Sequence, residues 1–428
     1  LHEGGGSAMR APANGWWRLA ALGACAWNGR GPQSWLRAGG GRRCRRGHCV
    51  LWRFQPAPPC QRGPGVAPAL PNGRRFGVEA SVLPGTSACS ALRCGQVARM
   101  ASNSAAPGPP DDAPRIAWSY WDRGYEQLPD FRRLCVETWA AQNPGWQIHL
   151  LDRDSVFQFL TPRDLPRLWP GMYVPWQADA VRLALLAKYG GLWIDASTIC
   201  LQPFERWMYG AIMSDETPTD IGGFYFSAWG TEMYEGKDFV ENWVVAARRE
   251  HPLILAWQIL FNGYWDTKKR ADAMCIWLDP PGVPDHPLFR GVDLQHLNRF
   301  GQDLRNYLLM HAAFKKLVEQ YPEMRRIWQD EMLLLRAEDT AFWHMEEPDV
   351  QWDVDAAVKK WLGPCQQPWL NHVVGRCPIL KFTRDAAVVL DGVPRAEILA
   401  GSSCLGEVLK VALRGPRPAT AQSAGHAV

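Results

Sequence analysis

Across 428 residues no apolar run reaches the roughly 18 positions that a membrane-spanning helix requires, so none is expected. The nearest candidate, WWRLAALGACAW at 16–27, is too short and is interrupted by Arg18. None of the ten Asn residues begins an N-x-[ST] sequon. The six cysteines beyond residue 113, Cys135, Cys200, Cys275, Cys365, Cys377 and Cys404, show no paired metal-ligand spacing. Scattered thiols without sequons suit a reducing compartment. A cytoplasmic location is therefore expected, or the Golgi or another organelle if the amino-terminal segment is a targeting peptide.

Lysine is missing altogether from residues 1–99, which hold 14 Arg against two acids, a net of +12. The remainder carries 33 basic and 41 acidic residues, a net of −8, so the overall +4 describes neither part. The first segment is rich in Gly, Pro and Arg, holds six of the 12 Cys, and shows no sustained periodicity. Such a composition cannot bury enough apolar surface to offset chain ordering, and residues 1–113 are expected to be disordered. Two origins fit: an Arg-rich, acid-poor targeting peptide, or translated sequence upstream of a start at Met100. The second is favoured by Leu1 at the first position and by MASNSAAPGPPDDAPRIAW, which resembles a normal amino terminus. A nucleic-acid-binding arm is a third reading, but no aromatic-basic module accompanies the arginines, so no nucleic-acid partner is expected. Residues 413–428 read as a disordered tail.

Residues 114–412 suffice for one large α/β domain. Strands are expected at 115–120, 147–151, 191–195 and 221–228. Helices are expected at 129–142, 177–189, 238–248, 252–264, 302–319 and 323–336. This alternation predicts a mixed, mostly parallel sheet flanked by helices. The most informative stretch is QADAVRLALLAKYGGLWIDAST at 177–198. Val181, Leu183, Ala184, Leu185 and Leu186 give its helix a broad buried face, and Asp179 and Arg182, three apart, share a face near its amino end. Gly190 reads as a left-handed helix stop and Gly191 as a tight reversal before the strand Leu192, Trp193, Ile194. Asp195 and Ser197 then fall at the carboxyl end of a strand, where open α/β sheets collect ligands.

This stretch resembles the sugar-transferase signature SDxLR followed by Y-G-G-x-[YW]-x-D-[AVT]-[DST]. That signature is shared by capsular polysaccharide synthesis proteins, OCH1-like mannosyltransferases and the glucosylating domains of large clostridial toxins. The capsular group is nearest, since its members typically read GGxWxDAT where this chain has GGLWIDAST. Further segments agree in order: 115–152, GGFYFSAW at 222–229, ENWVVAARREHPLI at 241–254, YLLMHAAF at 307–314 and PILKFTRD at 378–385. The resemblance covers about residues 114–390 and implies a GT-A-type fold and a nucleotide-sugar transferase, metal-assisted and retaining the anomeric configuration. It places Asp179 and Arg182 against the donor sugar and diphosphate, Trp193 beside the nucleotide, and Asp195 as first acid of a DxD-like motif. Ser197 departs from that motif, standing where the DxD form has the metal-ligating acid. His311 matches a histidine of the capsular group and would complete a metal set with Asp195 and Ser197.

The chemistry accounts for these residue types. Sugar transfer gathers negative charge on a leaving nucleoside diphosphate, which a divalent cation or fixed cations must meet. Mn²⁺ and Mg²⁺ prefer oxygen ligands, and Ser197 offers only a weak neutral one. The expected partners are a nucleotide-sugar donor and a glycan or other hydroxyl acceptor. Each residue also has a plainer reading: Asp179 and Arg182 as an i, i+3 ion pair, Asp195 as a turn former, Trp193 as core, His311 as a packed helix residue. Two other function classes stay open: an inactive relative that binds a nucleotide sugar or glycan, favoured by Ser197, and a glycoside hydrolase, which needs two acids roughly 5 to 10 Å apart across a sugar cleft.

Overall fold

In a computed structural model the described residues are 114–214, 216–227, 236–299 and 302–416. The expectations for residues 1–113 and for 417–428 lie outside them. The strands are β1 (Ile116–Tyr120), β2 (Gln147–Leu151), β3 (Gly191–Ile194), β4 (Thr198–Cys200), β5 (Ile221–Tyr225), β6 (Val240–Ala247), β7 (Asn298–Arg299), β8 (Gln302–Asp303), β9 (Met332–Arg336) and β10 (Ile379–Lys381). The helices are α1 (Asp130–Gln142), α2 (Val174–Tyr189), α3 (Tyr209–Met213), α4 (Pro252–Asp266), α5 (Cys275–Leu278), α6 (Leu309–Gln320), α7 (Pro322–Asp330), α8 (Val354–Leu362), α9 (Gln367–Arg376), α10 (Arg384–Leu390), α11 (Arg395–Ala400) and α12 (Cys404–Leu413).

Six strands form one sheet in the order β2-β1-β3-β6-β5-β9. Three of its five pairings are parallel, so the mixed, mostly parallel sheet is present. The two-residue period of a strand sends alternate side chains to opposite faces. Trp118, Trp193, Val245 and Ala247 enter one core with α2, α4 and α6. Ala117, Leu192, Ile194, Val244 and Ala246 enter a second, with Trp139 of α1 and Tyr209 of α3. On the first face Trp257 Nε1 donates to Met310 O at 2.7 Å, tying α4 to α6.

The carboxyl-terminal helices α8 to α12 build a third core around α1 and the antiparallel pair β4–β10. Gln142 Nε2 donates to Ala412 O at 2.7 Å, and Arg132 pairs with Asp391 at 2.8 Å, so these helices are pinned along α1. Periodicity had given none of them. It also misassigned 238–248, which is β6. ENWVVAARRE contains good helix formers, but Val244 to Ala247 are buried between β3 and β5, and that burial on both faces overrides propensity. The helix expected at 323–336 stops at Asp330, and Met332–Arg336 pairs with β5 as an edge strand. The helix expected at 302–319 starts only at Leu309, because Gln302–Asp303 pairs with Asn298–Arg299. α2 begins earlier than expected, at Val174, with proline in its first turn. α12 carries regular structure through Leu413, one residue into the expected tail.

The Gly-Gly junction sets the path from α2 into β3. Gly190 has φ 67° and ψ −156°, a region open to glycine alone rather than the left-handed helical stop that was expected. Trp118 Nε1 donates to its carbonyl at 2.9 Å. Gly191 has φ 94°, and a Cβ there would lie 2.6 Å from Ile116 O of β1. Gly191→Ala is therefore expected to destabilise the fold by at least about 1 to 3 kcal/mol, the cost of a strained backbone, before the clash is counted. Urea unfolding of wild type and variant measures this; equal midpoints and slopes would contradict it.

Candidate functional site

Asp195 is the first residue past β3, and its backbone N–H donates to Trp243 O of β6 at 2.9 Å. Its side chain is 32% exposed, against 3% for Arg182 and 11% for Lys381. Oδ1 accepts from Arg182 Nη2 at 3.2 Å and from Trp193 Nε1 at 3.0 Å; Oδ2 accepts from Lys381 Nζ at 3.2 Å. Arg182 enters from α2, one turn after Asp179, with which it pairs. It also touches Met310 Sδ at 3.3 Å and lies over the Trp193 ring, 4.5 Å from the centroid. Asn242 of β6 donates to Asp179 Oδ1 at 3.0 Å. Thus α2, β3, β6 and β10 each contribute a polar group to one network, and Asp179, Arg182, Trp193 and Asp195 do come together.

Burial acts on these groups in different directions. It raises the Asp179 carboxyl to about 6, against the pull of Arg182 and Asn242. Burial would raise Asp195 as well, but Lys381, Arg182 and the Trp193 bond outweigh it and hold that carboxyl below the ordinary carboxylate range. Lys381 is lowered, chiefly by burial, with Asp195 opposing. Glu241, on β6 beside these groups, is pushed up to about 8 by burial, with Asp195 and Glu338 adding and Lys381 opposing. At neutral pH Asp195 is charged and Glu241 mostly carries its proton.

Trp193, expected beside the nucleotide, is 1% exposed; Arg182 covers its face and its Nε1 donates to Asp195.

The three residues expected to hold a metal have other neighbours in this structure. An ion held by Asp195 and Ser197 would lie about 2.1 Å from each oxygen. The Lys381 ammonium fills that notch, 3.2 Å from Asp195 Oδ2 and 2.7 Å from Ser197 Oγ. Ser197 Oγ further donates to Phe382 O at 3.2 Å. His311, on α6, stacks on Phe239 with ring centroids 4.5 Å apart, and neither of its ring nitrogens has a hydrogen-bond partner. Burial lowers its pKa to about 3. Among the described residues no three His, Cys, Asp or Glu side chains gather as a metal site. As placed, Asp195, Ser197 and His311 do not fit a divalent ion.

Sequence reasoning missed Lys381, Asn242 and Glu241. A signal existed for the first: ILKF at 379–382 sets one lysine among residues of a buried strand, which calls for a counter-charge. Asn242 and Glu241 were hidden by the helix expected over β6.

Comparison with known proteins agrees with the motifs. Residues 101–276 match the family model described as capsular polysaccharide synthesis protein. Over that segment the chain is similar to this family. The O-glycosyltransferase braB of Annulohypoxylon truncatum is 25% identical over 49% of this chain and 52% of its own length. Glycosyltransferase afumC of Aspergillus fumigatus is 30% identical over 36% of this chain and 42% of its own. The initiation-specific alpha-1,6-mannosyltransferase of Saccharomyces cerevisiae is 30% identical over 22% of each chain, which bears out the OCH1-like resemblance. The chain spans about half the length of the curated relatives it matches, or less. The solved PaToxG glycosyltransferase aligns with 56% of this chain and 93% of its own, at 14% identity and a TM-score of 0.29. No helix among the described residues is long and apolar enough to cross a membrane.

The Glu241 environment yields a pH dependence. An acid raised to about 8 from an unfolded value of about 4.3 stabilises the fold fully below the unfolded value. That contribution is lost as pH rises through about 8. Glu241→Gln imitates the neutral form, so its melting temperature should gain on the wild type as pH climbs from 5 to 9. Melting curves across that window test this; a constant difference would contradict it.

Proposed function

We propose that this chain transfers a hexose from a nucleotide-sugar donor to a glycan or other hydroxyl acceptor, with retention at the anomeric carbon, on a GT-A-type domain spanning residues 114–412. The observation that carries the reading is the half-open Asp195 carboxylate at the end of β3, flanked by the cations of Arg182 and Lys381. A leaving nucleoside diphosphate needs fixed positive charge where its own charge develops, in a site already organised to hold it. The similarity to named glycosyltransferases supports the reaction class. Arg182 bonds Asp195 and pairs with Asp179, so these two hold Asp195 toward the donor. No step is assigned to a divalent metal, because the donor set does not fit one.

The test has two stages on the full chain. Thermal shift with UDP- and GDP-sugars should show stabilisation by at least one donor, about 2.7 kcal/mol when ligand reaches a hundred times its Kd. Turnover of that donor is then followed for wild type and Asp195→Asn. The variant should lose about a hundredfold or more per folded molecule, because Arg182 and Lys381 lose the carboxylate that holds them where the diphosphate charge develops. Equal rates for the two proteins would sink the role of Asp195. Donor affinity without turnover would mark a binding-only relative. Sugar release from oligosaccharides with no nucleotide present would mark a hydrolase, a reading that the charged Asp195 beside the protonated Glu241 keeps specific.

A further inference from the structure

We propose that Lys381 is the fixed cation that meets the donor's diphosphate, and that this site works without a divalent metal. The inference rests on the glycosyl-transfer reading above and names the group that replaces the metal.

Three observations carry it. The first is position: the ammonium lies 3.2 Å from Asp195 Oδ2 and 2.7 Å from Ser197 Oγ, bridging the two oxygens that the DxD form would turn toward an ion. An ion bound to Ser197 Oγ at about 2.1 Å would come within about 5 Å of Nζ, given its 2.7 Å contact, and would compete with a like charge for the one carboxylate of Asp195. The second is charge balance. Two acids at 195 and 197 would offset a doubly charged ion, whereas Asp195 with neutral Ser197 offsets one ammonium. The third is donor capacity. An ammonium has three N–H donors, of which Asp195 and Ser197 take two, and the third meets no group among the described residues.

The backbone holds this lysine in place. Lys381 pairs with Thr198 across β4–β10, its N–H donates to Ala341 O at 2.9 Å, and its carbonyl lies 3.1 Å from His344 Nε2. Phe382 N donates to Ser197 O at 3.0 Å. The strand end bearing Asp195 and the strand bearing Lys381 are therefore one unit. In the transfer, the bond between the anomeric carbon and the diphosphate oxygen breaks, and its electron pair leaves on that oxygen. The acceptor hydroxyl oxygen bonds to the anomeric carbon, and its proton passes to the departing diphosphate. Lys381 keeps its three protons throughout and donates one hydrogen bond to the oxygen that gains charge.

The test uses the full chain with UDP, GDP, uridine and guanosine as probes in calorimetric titration, plus donor turnover in EDTA and in added Mn²⁺. Wild type should bind one of the two diphosphates, and its turnover should be unchanged by EDTA and not raised by Mn²⁺. Lys381→Met should weaken the diphosphate by about ten- to a hundredfold, the range of a charge-assisted bond, and leave the matching nucleoside unaffected. Lys381→Arg should recover part of the loss. Turnover that EDTA abolishes and Mn²⁺ restores overturns the proposal while leaving glycosyl transfer standing. Equal weakening of diphosphate and nucleoside by Lys381→Met also overturns it. Wild type that binds neither diphosphate removes the glycosyl-transfer reading and this one together. Should Lys381→Met fail to fold, the chelator comparison on wild type decides alone.

Discussion

The carboxylate of Asp195, shared between the guanidinium of Arg182 and the ammonium of Lys381, is the contact on which the rest of the site depends. Arg182 and Lys381 are 3% and 8% exposed, and a buried cation persists only with a counter-charge nearby. Taking one partner from such a group costs about 3 to 5 kcal/mol, because the other is left uncompensated. Asp195 therefore ties α2, β3 and β10 together, and Asp179 with Asn242 extends the tie to β6. Unlike the contacts that pin α1 to the carboxyl-terminal helices, this network leaves the Asp195 carboxylate 32% exposed.

Sheet geometry explains why the open group lies where it does. The Gly190–Gly191 reversal brings the chain off α2 and directly into β3, beside β1, with no room for a side chain against Ile116 O. Four residues later the strand ends, and Asp195 emerges at its carboxyl edge with its N–H held by Trp243 O. The chain then turns back into β4, whose antiparallel partner β10 delivers Lys381 from nearly two hundred residues away in sequence. Charges from both ends of the domain meet at one point.

The parts of this arrangement written locally were legible in the sequence. The 3.6-residue pattern of α2, the two glycines and the apolar run of β3 placed Asp179, Arg182, Trp193 and Asp195 on one unit before any coordinates. Ordered motifs on either side gave the family resemblance. What could not be read was long-range. β6 looks helical because Ala246, Ala247 and Arg248 favour helices, and only its central place between β3 and β5 makes it a strand. Lys381 reads as an ordinary strand lysine until β10 is paired with β4. The resemblance puts Trp193 beside the nucleotide, and no local pattern shows that Arg182 covers its ring.

In the proposed reading a nucleoside diphosphate docks at the end of β3 on the Lys381 ammonium. A crystal structure of the full chain with its preferred UDP- or GDP-sugar, grown with Mn²⁺ present, tests it most directly. A diphosphate oxygen is expected within about 3 Å of Lys381 Nζ, the length of a charge-assisted bond, with the Lys381–Asp195 contact kept. A Mn²⁺ ion ligated by Asp195 with Lys381 displaced, or a diphosphate bound away from β3, would contradict it.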